Sequence, residues 1–75
     1  MRTMIEERAV FPDKKGCDTF RAYIKRIEAR AKGMGDVGCG SAEEMSSGAW
    51  IAIYFVAEES RDFYKGVAVG IEMAA

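Results

Sequence analysis

Apolar side chains recur at helical spacing most clearly in one stretch of this chain. Phe20, Tyr23, Ile24, Ile27 and Ala31 fall within an arc roughly 100° wide when successive residues are turned by about 100°. Asp18 ahead of them is a good N-cap and Gly33 behind them a good stop, so the pattern predicts an amphipathic helix over about 18–32. Arg21, Lys25 and Lys32 line one border of its apolar arc, and Arg26 and Arg30 line the other. Before it, Met4, Ile5, Val10 and Phe11 suit a strand, while Glu6-Glu7-Arg8-Ala9 suits a helix. Pro12 ends whichever element forms there, and Pro12-Asp13-Lys14-Lys15-Gly16 reads as a turn.

Behind the helix, residues 33–40 hold four glycines, Gly33, Gly35, Gly38 and Gly40, and read as a loop. Ser41-Ala42-Glu43-Glu44 then spells a capping box, which predicts a short helix over about 42–47 closed at Gly48. Trp50 to Val56 is rich in β-branched and aromatic residues, so 49–57 reads as a strand. Glu58 to Asp62 would be a turn and 63–73 the return strand, in which Phe63, Val67, Val69, Ile71 and Met73 alternate while Lys65 breaks the pattern. A rival pattern is also present. A helix could run on to Glu58, with a last one after Ser60 presenting Phe63, Gly66, Val67, Gly70, Ile71 and Ala74. Glycine inside a helix costs about 1 kcal/mol relative to alanine, and Gly48, Gly66 and Gly70 would each incur it. The expected fold is therefore a single α+β domain over 1–75 with a C-terminal hairpin. An all-α three-helix bundle is the alternative.

The 50–57 segment is apolar on both faces, and one short helix cannot cover both. Hiding the second face calls for a partner chain, most economically another copy. A homodimer or higher assembly is expected, with Trp50, Tyr54, Phe55 and Phe63 as interface residues. Size points the same way, because a chain of 75 residues buries only about 60% of its unfolded surface.

Charge changes the picture next. Lys14 to Lys32 carries Lys14, Lys15, Arg21, Lys25, Arg26, Arg30 and Lys32 against Asp18 and Glu28. From Gly33 onward the balance inverts, with acids at Asp36, Glu43, Glu44, Glu58, Glu59, Asp62 and Glu72 against Arg61 and Lys65. The net charge of −1 conceals this division, which sets what can approach each surface. The basic helix would bind nucleic acid through Arg21, Lys25, Arg26, Arg30 and Lys32, although side chains along an apolar border also simply cover it. Glu43, Glu44, Glu58, Glu59 and Asp62 would meet a basic patch on a protein, although surface acids most often serve solubility.

Several chemistries drop out. Without histidine, imidazole-based triads and most zinc arrangements are excluded. The longest apolar run, Ala49 to Ala57, is nine residues against roughly 20 for a spanning helix. Acids at Glu6 and Glu7 stand where a signal peptide would be apolar, so a cytoplasmic protein with no membrane partner is expected. Gly33 to Gly38 matches GxGxxG by letter, but a helix precedes it where a dinucleotide site needs a strand. Cys17 and Cys39 have no CxxC pattern. Cys17, ahead of the first helix, would feel its positive end and have a lowered pKa. No metal or cofactor is expected.

The leading functional expectation is a non-enzymatic protein-binding modulator or inhibitor of a larger assembly. Small phage and mobile-element proteins, including inhibitors of host defence, often work in this manner. Nucleic-acid binding is the second expectation. A small ligand-binding protein or thiol enzyme using Cys17 or Cys39 is the third.

Overall fold

A computed structural model describes residues 3–32 and 34–74 and resolves the N-terminal ambiguity as a strand, β1 (Met4–Phe11). Ile5, Glu7, Ala9 and Phe11 turn inward, while Met4, Glu6, Arg8 and Val10 turn out. Pro12 ends the strand, and Asp13 caps helix α1 (Lys14–Ala31), its Oδ1 accepting the Gly16 N–H at 3.0 Å. The helix thus starts ahead of the expected 18. The cap is Asp13 because this residue follows the proline in extended backbone (φ −147°, ψ 172°), where its side chain can reach back to the first turn. At the other end Lys32 adopts a left-handed conformation (φ 52°) and donates its N–H to Ala29 and Glu28 carbonyls. Gly33, the expected stop, lies outside the described residues.

The expected helix over 42–47 does not form. Val37–Glu44 is a strand, β2, and Ser46-Ser47-Gly48 is the loop of a hairpin leading into β3 (Trp50–Ala57). Met45 N–H donates to the Ala49 carbonyl at 2.7 Å and Gly48 N–H to that of Met45 at 2.9 Å. Gly48 supplies the positive φ of 93° that such a loop requires. The capping box had only Ala42 and Met45 behind it to form an apolar helical face, whereas pairing gives this backbone a ladder partner.

The return strand over 63–73 is also absent. A 3-10 turn at Glu58–Ser60 leads into helix α2 (Arg61–Ala74). Sheet order explains why. β3 lies in the middle of β1-β3-β2 and pairs antiparallel on both sides, so β3 has no edge left for a return strand to pair with as a hairpin. Burial of Tyr64 and Ala68, with Val67 and Ile71 packed beside them, outweighs the penalties at Gly66 and Gly70. The fold is therefore α+β, as expected, with β3 in place but paired to other strands. It is not a helical bundle, although the last helix of that alternative exists.

Both helices pack on one face of the sheet around a single core. Phe20 of α1 lies 5.5 Å from Phe11 of β1 and 5.1 Å from Tyr54 of β3, ring to ring. Beside this stack Ala9, Ala52 and Ala42 sit side by side across the three strands, which keeps the sheet low beneath the helices. Strand direction places Met4, Val37, Ala57, the end of α1 and the start of α2 at one end of the sheet.

Candidate interaction surfaces

Helix α2 buries Tyr64, Val67, Ala68 and Ile71 and turns a second apolar stripe outward. Phe63 is 61% exposed and Met73 80% exposed, with Val69 between them. Gly66 and Gly70 lie in the same stripe, and a Cβ added at either would meet nothing within 4 Å. Phe63 nonetheless has a ring to pack against. Its ring stands edge-on to Tyr64, with centroids 5.0 Å apart and planes at 87°, and the buried Tyr64 hydroxyl donates to Asp36 Oδ1 at 3.0 Å.

Acids surround the start of this helix. Glu58, Glu59 and Asp62 are exposed there, next to the positive end of the helix dipole that favours them. Arg61 Nε lies 3.9 Å from Asp62 Oδ1, an exposed pair of little energetic weight. Glu43 and Glu44 are elsewhere. They pair with Ile51 and Trp50 at the opposite end of the sheet, so the five expected acids form two separate groups.

Tyr64 gives this region a pH signature. Burial first, then the hydrogen bond to Asp36 and its charge, push the phenol from 10.0 up to about 12. A raised phenol means the folded state holds its proton more tightly than the unfolded chain. Stability is thus fully present below pH 10 and falls as pH rises toward about 12. Urea midpoints measured across this window are expected to decline, and Tyr64→Phe to flatten the decline. A residual slope is expected from Tyr54, raised by burial and by Glu7.

The basic helix is divided by the fold. Arg21 turns to the sheet, where its Nη2 donates to the Gly40 carbonyl at 3.1 Å. Its Nε is buried with no hydrogen-bond partner among the described residues. Two turns on, Glu28 Oε1 accepts the Cys39 N–H at 3.4 Å. These two side chains occupy the free edge of β2, which would otherwise be open to another strand. Lys25, Arg26, Arg30 and Lys32 remain exposed, in no ion pair among the described residues. Arg30 and Lys32 lie at the same end of the sheet as Glu58 and Glu59, so charges separated in sequence become neighbouring surfaces.

The four aromatic interface candidates part company. Tyr54 is core, and Trp50 is half-buried on the helix side with Lys14 Nζ 5.8 Å above its ring. Phe55 and Phe63 are exposed, but on different surfaces. Phe55 belongs to the outer face of the sheet with Met4, Val10, Ile51 and Ile53, none of which was among the expected interface residues. Their signal was the unbroken apolar run of 50–57, which leaves a second apolar face once alternate residues turn inward.

The thiols are unlike activated nucleophiles. Burial pushes the Cys17 thiol up, opposed by Arg21, which is the reverse of the expected lowering at a helix start. Cys39 is half-buried and donates to the Gly40 carbonyl at 3.6 Å. Among the described residues no three metal-ligating side chains converge, and no helix is long and apolar enough to cross a membrane. A groove of about 340 Å³ between the start of α1 and the end of α2 is lined by Asp13, Lys15, Gly16, Thr19, Ile71 and Ala74. Its carboxylate already caps α1. Gly35 and Gly38 of the GxGxxG match lie between α1 and β2 or within β2, the reverse of the strand-to-helix order a dinucleotide needs.

Comparison with protein-family profiles, curated proteins and solved structures returns no match.

Proposed function

We propose that this chain is a non-enzymatic protein-binding module that modulates or inhibits a larger assembly, docking through the outer stripe of α2 and the acidic turn before it. The observation that carries the reading is Phe63, 61% exposed yet held edge-on against buried Tyr64. An exposed aromatic ring with one buried ring beside it offers a partner a large apolar contact, the character of an interface hot spot. Val69 and Met73 extend the contact along the helix. Gly66 and Gly70 keep its surface low between them, so a partner can approach the backbone closely. Glu58, Glu59 and Asp62 favour a partner with basic groups around an apolar pocket, and such charges chiefly raise association rate and fix register. Binding without chemistry of this kind suits a cytoplasmic product of a phage or mobile element acting on a host-defence complex.

Immobilised chain is expected to capture a stoichiometric protein from nuclease-treated lysate. Phe63→Ala is expected to weaken that complex about 30-fold, the equivalent of a hot spot of about 2 kcal/mol. Joint reversal of Glu58, Glu59 and Asp62 to lysine should slow association, most at low salt. Capture indifferent to both changes would overturn the reading.

A second reading has its own observation, the exposed Lys25, Arg26, Arg30 and Lys32 on α1. Nucleic acid bound there would be released steeply by salt, and Arg21 would take no part, being held at the β2 edge. Absence of any DNA or RNA shift at low ionic strength removes this reading.

A further inference from the structure

The helices cover one face of the sheet and leave the other open. Register gives the outer face in rows. Val10, Ile51 and Glu43 form one, then Arg8 and Ile53 beside the Gly40-Ser41 bulge, then Glu6, Phe55 and Gly38. Met4 lies at the end of the β1 column. Val10 is 48% exposed and Phe55 41%; on the β1 edge Val10 and Arg8 also border a groove shared with Lys65, Val69 and Glu72 of α2. The patch centres on β3 and meets α2 only along the β1 edge, and the inference drawn from it does not rest on the function proposed for α2.

We infer that the open face is covered by a second copy of this chain, with the two sheets stacked about a two-fold axis running along β3. The layout of side chains selects both the occupant and the axis. The β1 column is tall (Met4, Glu6, Arg8, Val10), whereas the β2 column lacks side chains at Gly38 and Gly40. Phe55 leans into that strip, its Cε2 3.3 Å from where a Gly40 Cβ would lie. An axis along β3 lays the tall column of each copy over the glycine column of the other. Face-to-face sheets pack with nearly aligned strands about 10 Å apart, which this operation provides.

Charge selects the same axis. Among the described residues Arg8 is the cation of the face, on the β1 edge, and Glu43 is the acid of the β2 edge, one row away. Rotation about β3 brings Arg8 of each copy to the β2 edge of the other, within reach of that copy's Glu43, and forms the pair twice. A two-fold axis across the strands at the level of Ile53 would instead set Arg8 against Arg8. Within one chain Arg8 Nη2 lies 3.5 Å from Glu6 Oε2, an exposed contact of little weight. Arg8 and Glu43 of the same chain have β3 between them.

Sedimentation velocity on the full chain tests this. Wild type is expected at twice its 8.3 kDa. Phe55→Asp and, separately, Val10→Glu are expected at the monomer mass with unchanged circular dichroism; Val10 lies on the exposed β1 edge, so it serves if the first variant misfolds. Arg8→Glu should weaken dimerisation at least about tenfold, and adding Glu43→Arg should restore it. A wild type monomeric up to about 1 mM, or a dimer untouched by both apolar variants, overturns the inference. So does a charge swap that fails to restore the dimer, because only rotation along β3 joins these two edges.

Discussion

Replacing Phe20 by alanine is expected to remove about 3–5 kcal/mol of folding free energy, the largest loss for any single side chain here. Phe20 is fully buried and is the one ring that touches both Phe11 and Tyr54, so it ties α1 to an outer and the central strand at once. Truncation removes the transfer gain and leaves a cavity between a helix and a sheet that cannot close over it. Aromatic contacts at 5.1 and 5.5 Å add about 0.5–1.5 kcal/mol each beyond area. Small domains have only about 5–15 kcal/mol in total, so Phe20→Ala should lose about a fifth or more of the urea midpoint. Phe63→Ala, also a phenylalanine on a helix, should stay within about 0.5 kcal/mol of wild type, because its ring is in water. Equal losses for the two would contradict the placement of both.

Gly40→Ala is expected to destabilise by about 1–3 kcal/mol, an effect with the opposite sign to alanine at Gly66. A Cβ at position 40 would sit 2.5 Å from the Ile53 carbonyl oxygen and 3.1 Å from its carbon. Both are backbone atoms of the central strand and cannot step aside without breaking its ladder. The shift would also disturb the Arg21 bond to the Gly40 carbonyl and displace the Phe55 ring. At Gly66 the added methyl meets nothing, and the helix gains up to about 1 kcal/mol. Denaturant unfolding of the two variants measures the contrast. Similar midpoints would mean that β2 does not carry its bulge against Ile53.

These two glycines also mark what local pattern can and cannot convey. α1 was legible because its apolar arc and its basic borders differ chemically. The 50–57 strand was legible from β-branched and aromatic content. β2 was not, since Gly38 and Gly40 read as loop, while the need for them comes from a carbonyl on another strand and a carboxylate on α1. α2 was ambiguous for a physical reason. Phe63, Val69 and Met73 face water while Tyr64, Val67, Ala68 and Ile71 face the core, so apolar residues fall at both helical and alternating spacing. The excess that blurred the period is the surface now proposed for binding. For the acids, sequence proximity put Glu43 and Glu44 with Glu58 and Glu59, whereas strand direction sends them to opposite ends.

The central claim is that partners meet α2 and not α1. The most direct test compares wild type, Phe63→Ala and a Lys25→Glu, Arg26→Glu, Arg30→Glu variant for binding to one captured, nuclease-treated partner by calorimetry. The account expects Phe63→Ala to lose about 30-fold in affinity, the weight of a hot spot, with the α1 variant unchanged. Loss confined to the α1 variant, with Phe63→Ala binding like wild type, would contradict it.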